Sequence, residues 1–305
     1  MNKKMLYENE ALGTSTIIAE NRQKRPNKVK GESMCPFCKQ NESAIEQVFM
    51  ETFTSDEDHI RIVNNKYPVC HKEGDLYGIH DVVIETLYHD KKPHTFSKSH
   101  WYDLIKLIQL RWLEISQDER IQFIQVFKNE GEKAGASIMH PHWQIIALEE
   151  PPLTMKRHYE SVREQYEKEG CWLCKQQDSS WMDIVKTSKW RLTVPEGARA
   201  PYESWIVPNV HFANLGQITD DTLKELALLL SDTLKLYERM LPEVSYNICV
   251  MSGKPKGDPS YHFYISLLPR TGNFAGFELA TGCYINVLSP KGLVDKMKEL
   301  VGEIK

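Results

Sequence analysis

The chain has 305 residues, 41% of them apolar and 26% charged, which suggests two domains with real cores and excludes a disordered or collagen-like polymer. A net charge of −4 argues against a dedicated nucleic-acid binder, and no apolar run approaches the roughly 18 residues of a membrane span. The start, Met1 to Glu8, has no apolar stretch of the secretory kind, so the cytoplasm is the expected compartment.

In chain order, the first signal is Arg22 to Lys30, five positive charges just ahead of Cys35-Pro36-Phe37-Cys38. Thiolates two residues apart can reach one metal from a tight turn, and C-x-x-C competes with a redox pair only where no further ligands follow. Here Asp81 to Thr86 reads as a short buried strand running into His89. A helix follows, with Trp101, Leu104, Ile105, Ile108, Trp112 and Ile115 on one face. Ile121 to Phe127 reads as a strand, and the polar stretches Lys128 to Gly131 and Gly135 to Ser137 as a loop. Next comes a strand carrying His140-Pro141-His142-Trp143-Gln144. Glu149-Glu150-Pro151-Pro152 marks the joint between an N-terminal domain, 1–150, and a C-terminal one, 151–305.

The second half repeats this order. Cys171-Trp172-Leu173-Cys174 precedes a strand at Ser204 to Pro208, His211, and a helix with Leu223, Leu226, Leu230, Leu234, Tyr237 and Leu241 on one face, N-capped by Thr219. A strand at Tyr246 to Met251 and another carrying His262 complete it. The interval from His89 to His140 equals that from His211 to His262, 51 positions each, the mark of a duplicated unit. The fold class expected is α+β, two tandem halves, each an antiparallel sheet with covering helices. Two tetrahedral Cys2His2 sites follow: Cys35, Cys38, His89 and His140, then Cys171, Cys174, His211 and His262. This donor set suits Zn2+ and leaves no open position, so both sites are expected to be structural. Cys70, Cys249 and Cys283 are expected in the core, and His59, His71, His80, His94, His100 and His158 as ordinary core or surface residues.

The halves differ at their last strands. In regular strand geometry His140, His142 and Gln144 share one face in the first half, and His262, Tyr264 and Ser266 in the second. With the leading histidine of each tied to metal, His142 is a spare imidazole with no second-half counterpart, so one active site per chain is expected. A neutral imidazole is a good nucleophile toward phosphorus, and Gln144 could hydrogen-bond a phosphoryl oxygen.

These residues resemble the galactose-1-phosphate uridylyltransferase family of the histidine-triad superfamily, including its ADP-glucose phosphorylase branch. The resemblance runs from Arg22-Gln23-Lys24-Arg25-Pro26, through C-P-F-C, Arg61 to Pro68, Gly78 to Thr86 and H-P-H-x-Q, to Gly276 through Asn286. It implies a double displacement in which His142 takes a nucleotidyl group from a nucleotide sugar, releasing a sugar 1-phosphate. UDP-glucose—hexose-1-phosphate uridylyl transfer is the leading expectation. An ADP-glucose or dinucleotide phosphorylase, and a zinc-stabilised nucleotide binder without turnover, are the alternatives. The resemblance further implies that Arg22, Arg25, Asn129 and Ser137 contact phosphates, Asn65 the nucleotide and Glu278 sugar hydroxyls, and that the chain is a homodimer. Trp143 and Gly272 depart from the family pattern, where glycine or serine and lysine are usual. Trp143 either packs in the core or narrows the acceptor site.

Overall fold

The computed structural model describes residues 6–24, 35–45, 47–176 and 182–302. Its strands are β1 (Leu6–Asn9), β2 (Thr14–Ile17), β3 (Val48–Phe53), β4 (His59–Asn64), β5 (Gly78–Ile84), β6 (Phe123–Glu130), β7 (His142–Leu148), β8 (Asp183–Lys186), β9 (Trp190–Thr193), β10 (Ser204–Pro208), β11 (Tyr246–Met251) and β12 (Tyr264–Pro269). The helices are α1 (Lys98–Ser116), α2 (Leu153–Glu169), α3 (Trp172–Lys175), α4 (Asp220–Met240), α5 (Gly276–Thr281) and α6 (Pro290–Gly302). Among the described residues, no helix is long and apolar enough to cross a membrane.

Strands β1 and β2 form a hairpin; the other ten make one antiparallel sheet in the order β3-β4-β5-β7-β6-β11-β12-β10-β9-β8. Read outward from the central β6–β11 pair, the order of the first five strands is the order of the last five. The duplication seen in histidine spacing is therefore a duplication of topology, and the α+β antiparallel class is borne out. At the seam Asn129 pairs with Asn247 and Phe127 with Cys249.

One face of the sheet carries the main core. The stripe of α1 is buried throughout, as is that of α4 from Leu223 to Tyr237. Both pack on Val83, Val126, Trp143 and Ile145 from the first half and Ile206, Ile248, Ile265 and Leu267 from the second. The helices also touch each other. Gln109 Nε2 donates to the carbonyls of Leu215 (3.0 Å) and Ile218 (2.7 Å). Gly216 must be glycine there, because a Cβ would stand 2.5 Å from the Trp112 ring. Helix α2 lies on the opposite face, where Tyr159 meets Tyr261 edge-on at 5.3 Å.

Several local expectations shift. Thr219 occupies the N-cap, but its hydroxyl meets that of Thr222 at 2.9 Å instead of capping a backbone N–H. Leu241 is the C-cap of α4 and only half-buried. Cys70 is buried, but Cys249 is half-buried and Cys283 exposed, beyond the last sheet strand where no layer covers it. Residues 128–130 are not loop: β6 runs on through them because β11 offers partners at Lys128, Asn129 and Glu130.

That extension buries a cation. Lys128 is 0% exposed and sits between Glu85 and Glu130, 2.9 Å from the latter. One ammonium cannot neutralise two buried carboxylates. Burial pushes the wholly enclosed Glu85 up to about 7 despite the pull of Lys128. The folded chain therefore binds more protons at Glu85 than the unfolded chain between pH 4.5 and about 7, so this group's contribution to stability falls as pH rises through that window. Denaturant titrations should show wild type losing about 1–3 kcal/mol relative to Glu85→Gln between pH 4.5 and 7.5. A pH-independent difference would mean Glu85 is ionised throughout.

Candidate active site and metal centres

Two groups of ligand atoms converge. In each, four atoms lie within 4.8 Å of one another, from Cys35, Cys38, His89 and His140 and from Cys171, Cys174, His211 and His262. Cys38 Sγ is 3.4 Å from His89 Nδ1 and 3.5 Å from His140 Nδ1. Cys174 Sγ is 3.4 Å from both His211 Nδ1 and His262 Nδ1. These are edge lengths of a tetrahedron whose centre lies ~2.3 Å from sulfur and ~2.0 Å from nitrogen.

The surroundings set the protonation state for metal. His140 Nε2 lies 2.8 Å from the Thr86 carbonyl and His262 Nε2 3.2 Å from that of Pro208. A carbonyl can only accept, so Nε2 carries the proton and Nδ1 turns its lone pair into the cluster, the usual outer support of a metal-bound histidine. Burial also pushes His140 down to about 4, keeping the ring neutral. Each C-x-x-C turn is clamped by a buried arginine from the neighbouring strand. Arg61 of β4 donates to the Phe37 carbonyl at 3.1 Å, and Arg191 of β9 to that of Leu173 at 2.7 Å. These arginines are repeat features that the histidine intervals did not reveal, because they lie 24 and 18 positions from their carbonyls.

His140 and His262 are not on strands: the ladders begin two residues later, at His142 and Tyr264. The backbone turn before β7 lets the His140 ring enter the cluster while its carbonyl faces the ring of His142, two residues on. That carbonyl accepts from His142 Nδ1 at 2.9 Å. His142 thus has its proton on Nδ1 and its lone pair on Nε2, and it belongs to neither cluster. The Phe37 ring packs 5.3 Å from its own. His142 and Gln144 are 5% and 7% exposed, so charge forming beside them is poorly screened by water.

Trp143 points the other way. It is 2% exposed within the main core, paired across the ladder with Lys128 and turned toward Glu85. Of its two expected readings, packing is the one observed, because alternate strand residues take opposite faces.

Around Gln144 the structure assembles a polar chain. Its Oε1 is 3.1 Å from His80 Nε2, which lies 3.0 Å from Asn65 Nδ2. Asn65 Oδ1 accepts from the Tyr67 N–H, and the Tyr67 carbonyl accepts from Arg22 Nη1 at 2.7 Å. Arg22, Asn65 and Gln144, scattered in sequence, are therefore gathered around His80 and the Tyr67 backbone. Sequence reading gave His80 no role. The signal would have been its diagonal position opposite Gln144, since Val82 pairs with Gln144 and His80 lies two residues along the same face. Arg25 lies outside the described residues.

Asn129 sits one residue past the Lys128–Trp143 rung, beside His142. Its Oδ1 accepts from Asn247 Nδ2 at 2.9 Å. The loop leading to Ser137 and His140 turns at Gly131, whose φ is +79° and where a Cβ would stand 2.3 Å from Ser245 Oγ. Ser137 is half-buried in that loop. Glu278 is not brought to His142 by any contact among the described residues. It lies on α5, where its carboxylate accepts the Ala275 N–H at 3.0 Å.

The second half carries no counterpart of this site. Tyr264 stands where His142 does, its ring against Trp205 at 4.4 Å, and burial pushes its phenol up to about 12. Ser266, in the place of Gln144, lies between Glu203 and Arg199, which pair with each other.

Comparison with known proteins agrees with this picture. A family described as the "Domain of unknown function (DUF4931) N-terminal domain" matches residues 17–151. The chain is 28% identical to an ADP-glucose phosphorylase of Arabidopsis thaliana, over 93% of this chain and 89% of the relative. It is 24% identical to a galactose-1-phosphate uridylyltransferase of Thermotoga maritima, over 94% and 96%. The crystal structure of an ADP-glucose phosphorylase from Arabidopsis thaliana with bound ADP-glucose superposes with a TM-score of 0.81 at 28% identity, covering 96% of this chain and 98% of that one. The resemblance read from the sequence is borne out from end to end.

The two clusters differ in burial. All four residues of the first are buried, whereas Cys171, Cys174 and His211 are only partly so. Elemental analysis should find two ions per chain, and a chelator should remove the second-half ion first. His140→Ala should lose one equivalent and destabilise the fold by several kcal/mol. Simultaneous loss of both ions would contradict independent sites.

Proposed function

We infer that this chain, a relative of the galactose-1-phosphate uridylyltransferases and ADP-glucose phosphorylases, is a nucleotidyltransferase working by double displacement through His142. The observation that carries this reading is the bond from His142 Nδ1 to the His140 carbonyl, which puts the nucleophilic lone pair on Nε2 of a ring outside the metal cluster.

In the first step Nε2 attacks the α-phosphorus of a nucleotide sugar. The N–P bond forms as the P–O bond to the sugar phosphate breaks, and the sugar 1-phosphate leaves with the electron pair. The ring becomes cationic, and its Nδ1–H···O=C bond strengthens as it does. In the second step a phosphate oxygen of the acceptor takes the nucleotidyl group and restores the imidazole. Gln144 and Asn129 donate hydrogen bonds to the phosphoryl oxygens, Arg22, Arg25 and Ser137 hold the remaining phosphate charge, and Asn65 contacts the nucleotide.

The 24% identity to a galactose-1-phosphate uridylyltransferase supports UDP-glucose with a hexose 1-phosphate as acceptor. The 28% identity to an ADP-glucose phosphorylase supports ADP-glucose with inorganic phosphate as acceptor equally well. A binder without turnover is the weaker reading, since Trp143 lies in the core and leaves the His142 face unobstructed by its indole. We assign Zn2+ to both clusters, where two thiolates and two imidazoles fill the tetrahedral shell and leave the metal a structural part. We propose that Glu278, which makes no contact with His142 among the described residues, reaches the sugar hydroxyls at the site of a second copy of the chain. The neighbouring Phe277 and Leu279, 52% and 77% exposed, offer apolar surface for a homodimer.

Incubation with UDP-glucose or ADP-glucose, each labelled at the α-phosphate, should leave acid-labile, base-stable label on the protein, and the preferred donor identifies the base. His142→Ala should abolish labelling with metal content unchanged, and Gln144→Ala should slow it about 10²–10³-fold. Absence of label from both donors would remove the double displacement. Sedimentation should give a dimer, dissociated by Leu279→Glu.

A further inference from the structure

The proposed chemistry requires the amide groups of Gln144 and Asn129 to present N–H, not oxygen, to the phosphoryl group, and an amide can sit either way round. The geometry points to His80 and Asn247 as positioning residues that fix both amides with their donors facing His142. This rests on the functional reading above and names what makes its two hydrogen-bond donors donors.

Each assignment begins from a backbone group whose role cannot change. At His80 it is the Val69 N–H, 3.1 Å from Nδ1. A backbone N–H only donates, so Nδ1 accepts and the proton of the neutral ring is on Nε2. Two amides face that Nε2–H. Asn65 has its oxygen engaged by the Tyr67 N–H and turns its NH2 edge toward the ring, so it cannot be the acceptor. Gln144 can be, through Oε1 at 3.1 Å. With its oxygen held toward β5, its NH2 group turns away from β5.

At Asn247 the fixed group is the Ala134 carbonyl, 2.9 Å from Nδ2. A carbonyl only accepts, so the Asn247 atom facing it is the NH2. The same nitrogen lies 2.9 Å from Asn129, whose facing atom must then be Oδ1. Asn129 thus has its oxygen held toward β11 and its NH2 turned back toward β7. His142 lies on β7 between the two, on the same face. One donor is oriented from within the first half, by His80 of β5, and the other from the second half, by Asn247 of β11. Preorganised donors of this kind cost no reorientation as charge develops.

The test uses variants of matched shape and opposite hydrogen-bond polarity. His80→Gln keeps a donor near Nε2, whereas His80→Glu offers an acceptor that inverts Gln144; Asn247→Asp inverts Asn129 in the same way. Histidine 15N spectra of the wild-type protein, assigned by the signals missing in His80→Gln, report the tautomer without any ligand. The expected result is Nε2–H at His80. Single-turnover labelling of His142 at saturating nucleotide sugar should slow about 10²-fold in His80→Glu and Asn247→Asp, while His80→Gln stays within about tenfold of wild type. Metal content and melting temperature of all three should match wild type. A proton on Nδ1, or equal slowing in His80→Gln and His80→Glu, overturns the assignment. If the wild-type protein takes no label from any nucleotide sugar, the functional reading fails, and the tautomer alone then decides whether His80 orients Gln144.

Discussion

The His140 residue acts at two ends at once. Its ring, held by the Thr86 carbonyl at Nε2, places Nδ1 among the cysteine thiolates, and its own carbonyl receives the His142 Nδ1–H two residues on. A net hydrogen bond is worth about 1 kcal/mol, but here its value lies in direction. It places the lone pair of His142 on the nitrogen pointing away from the backbone, and it does so from a residue that the cluster immobilises. Pro141 between them restricts the backbone to one φ. A ring inside the cluster and a ring outside it are thereby held two residues apart, each with its own partners.

Beneath this pair the sheet supplies the same kind of fixity by burial. Trp143 and Lys128 lie opposite each other on the core side, with Glu85 and Glu130 around the ammonium. Such a buried ion group is a costly way to gain stability. Its position under the strand that carries His142, with alternate residues on the opposite face, gives β6 and β7 a specified register there. A one-residue slip of β7 would put Trp143 in the site and His142 among core side chains.

The duplicated halves have diverged by use. Both keep a C-x-x-C turn clamped by a buried arginine and a histidine braced by a carbonyl 54 positions earlier. Only the first keeps an imidazole and an amide on the strand that follows. The second fills those places with a tyrosine stacked on Trp205 and a serine held in the Arg199–Glu203 pair. Yet it is not inert, since β11 brings Asn247 against Asn129 across the seam. The face that carries His142 thus receives a side chain from both halves, which share one sheet and one main core.

Spacing and alternation were enough to pick out the eight residues that converge in the two Cys2His2 clusters, the two helix stripes and a histidine outside both clusters, because each is a short-range or periodic signal. Two thiolates in one turn and histidines at equal intervals mark themselves along the chain. The misses around His142 involve partners brought together by strand pairing. His80 meets Gln144 from 64 positions away, Asn247 meets Asn129 from 118, and Lys128 became buried, not solvated, because β11 extended its ladder. The order of residues along the chain thus determined which groups come together as possible metal ligands and which histidine stands beside them. Which way the amides beside His142 point was settled only when antiparallel pairing set fixed backbone donors and acceptors against them, since hydrogen-bond direction is a property of neighbours in space.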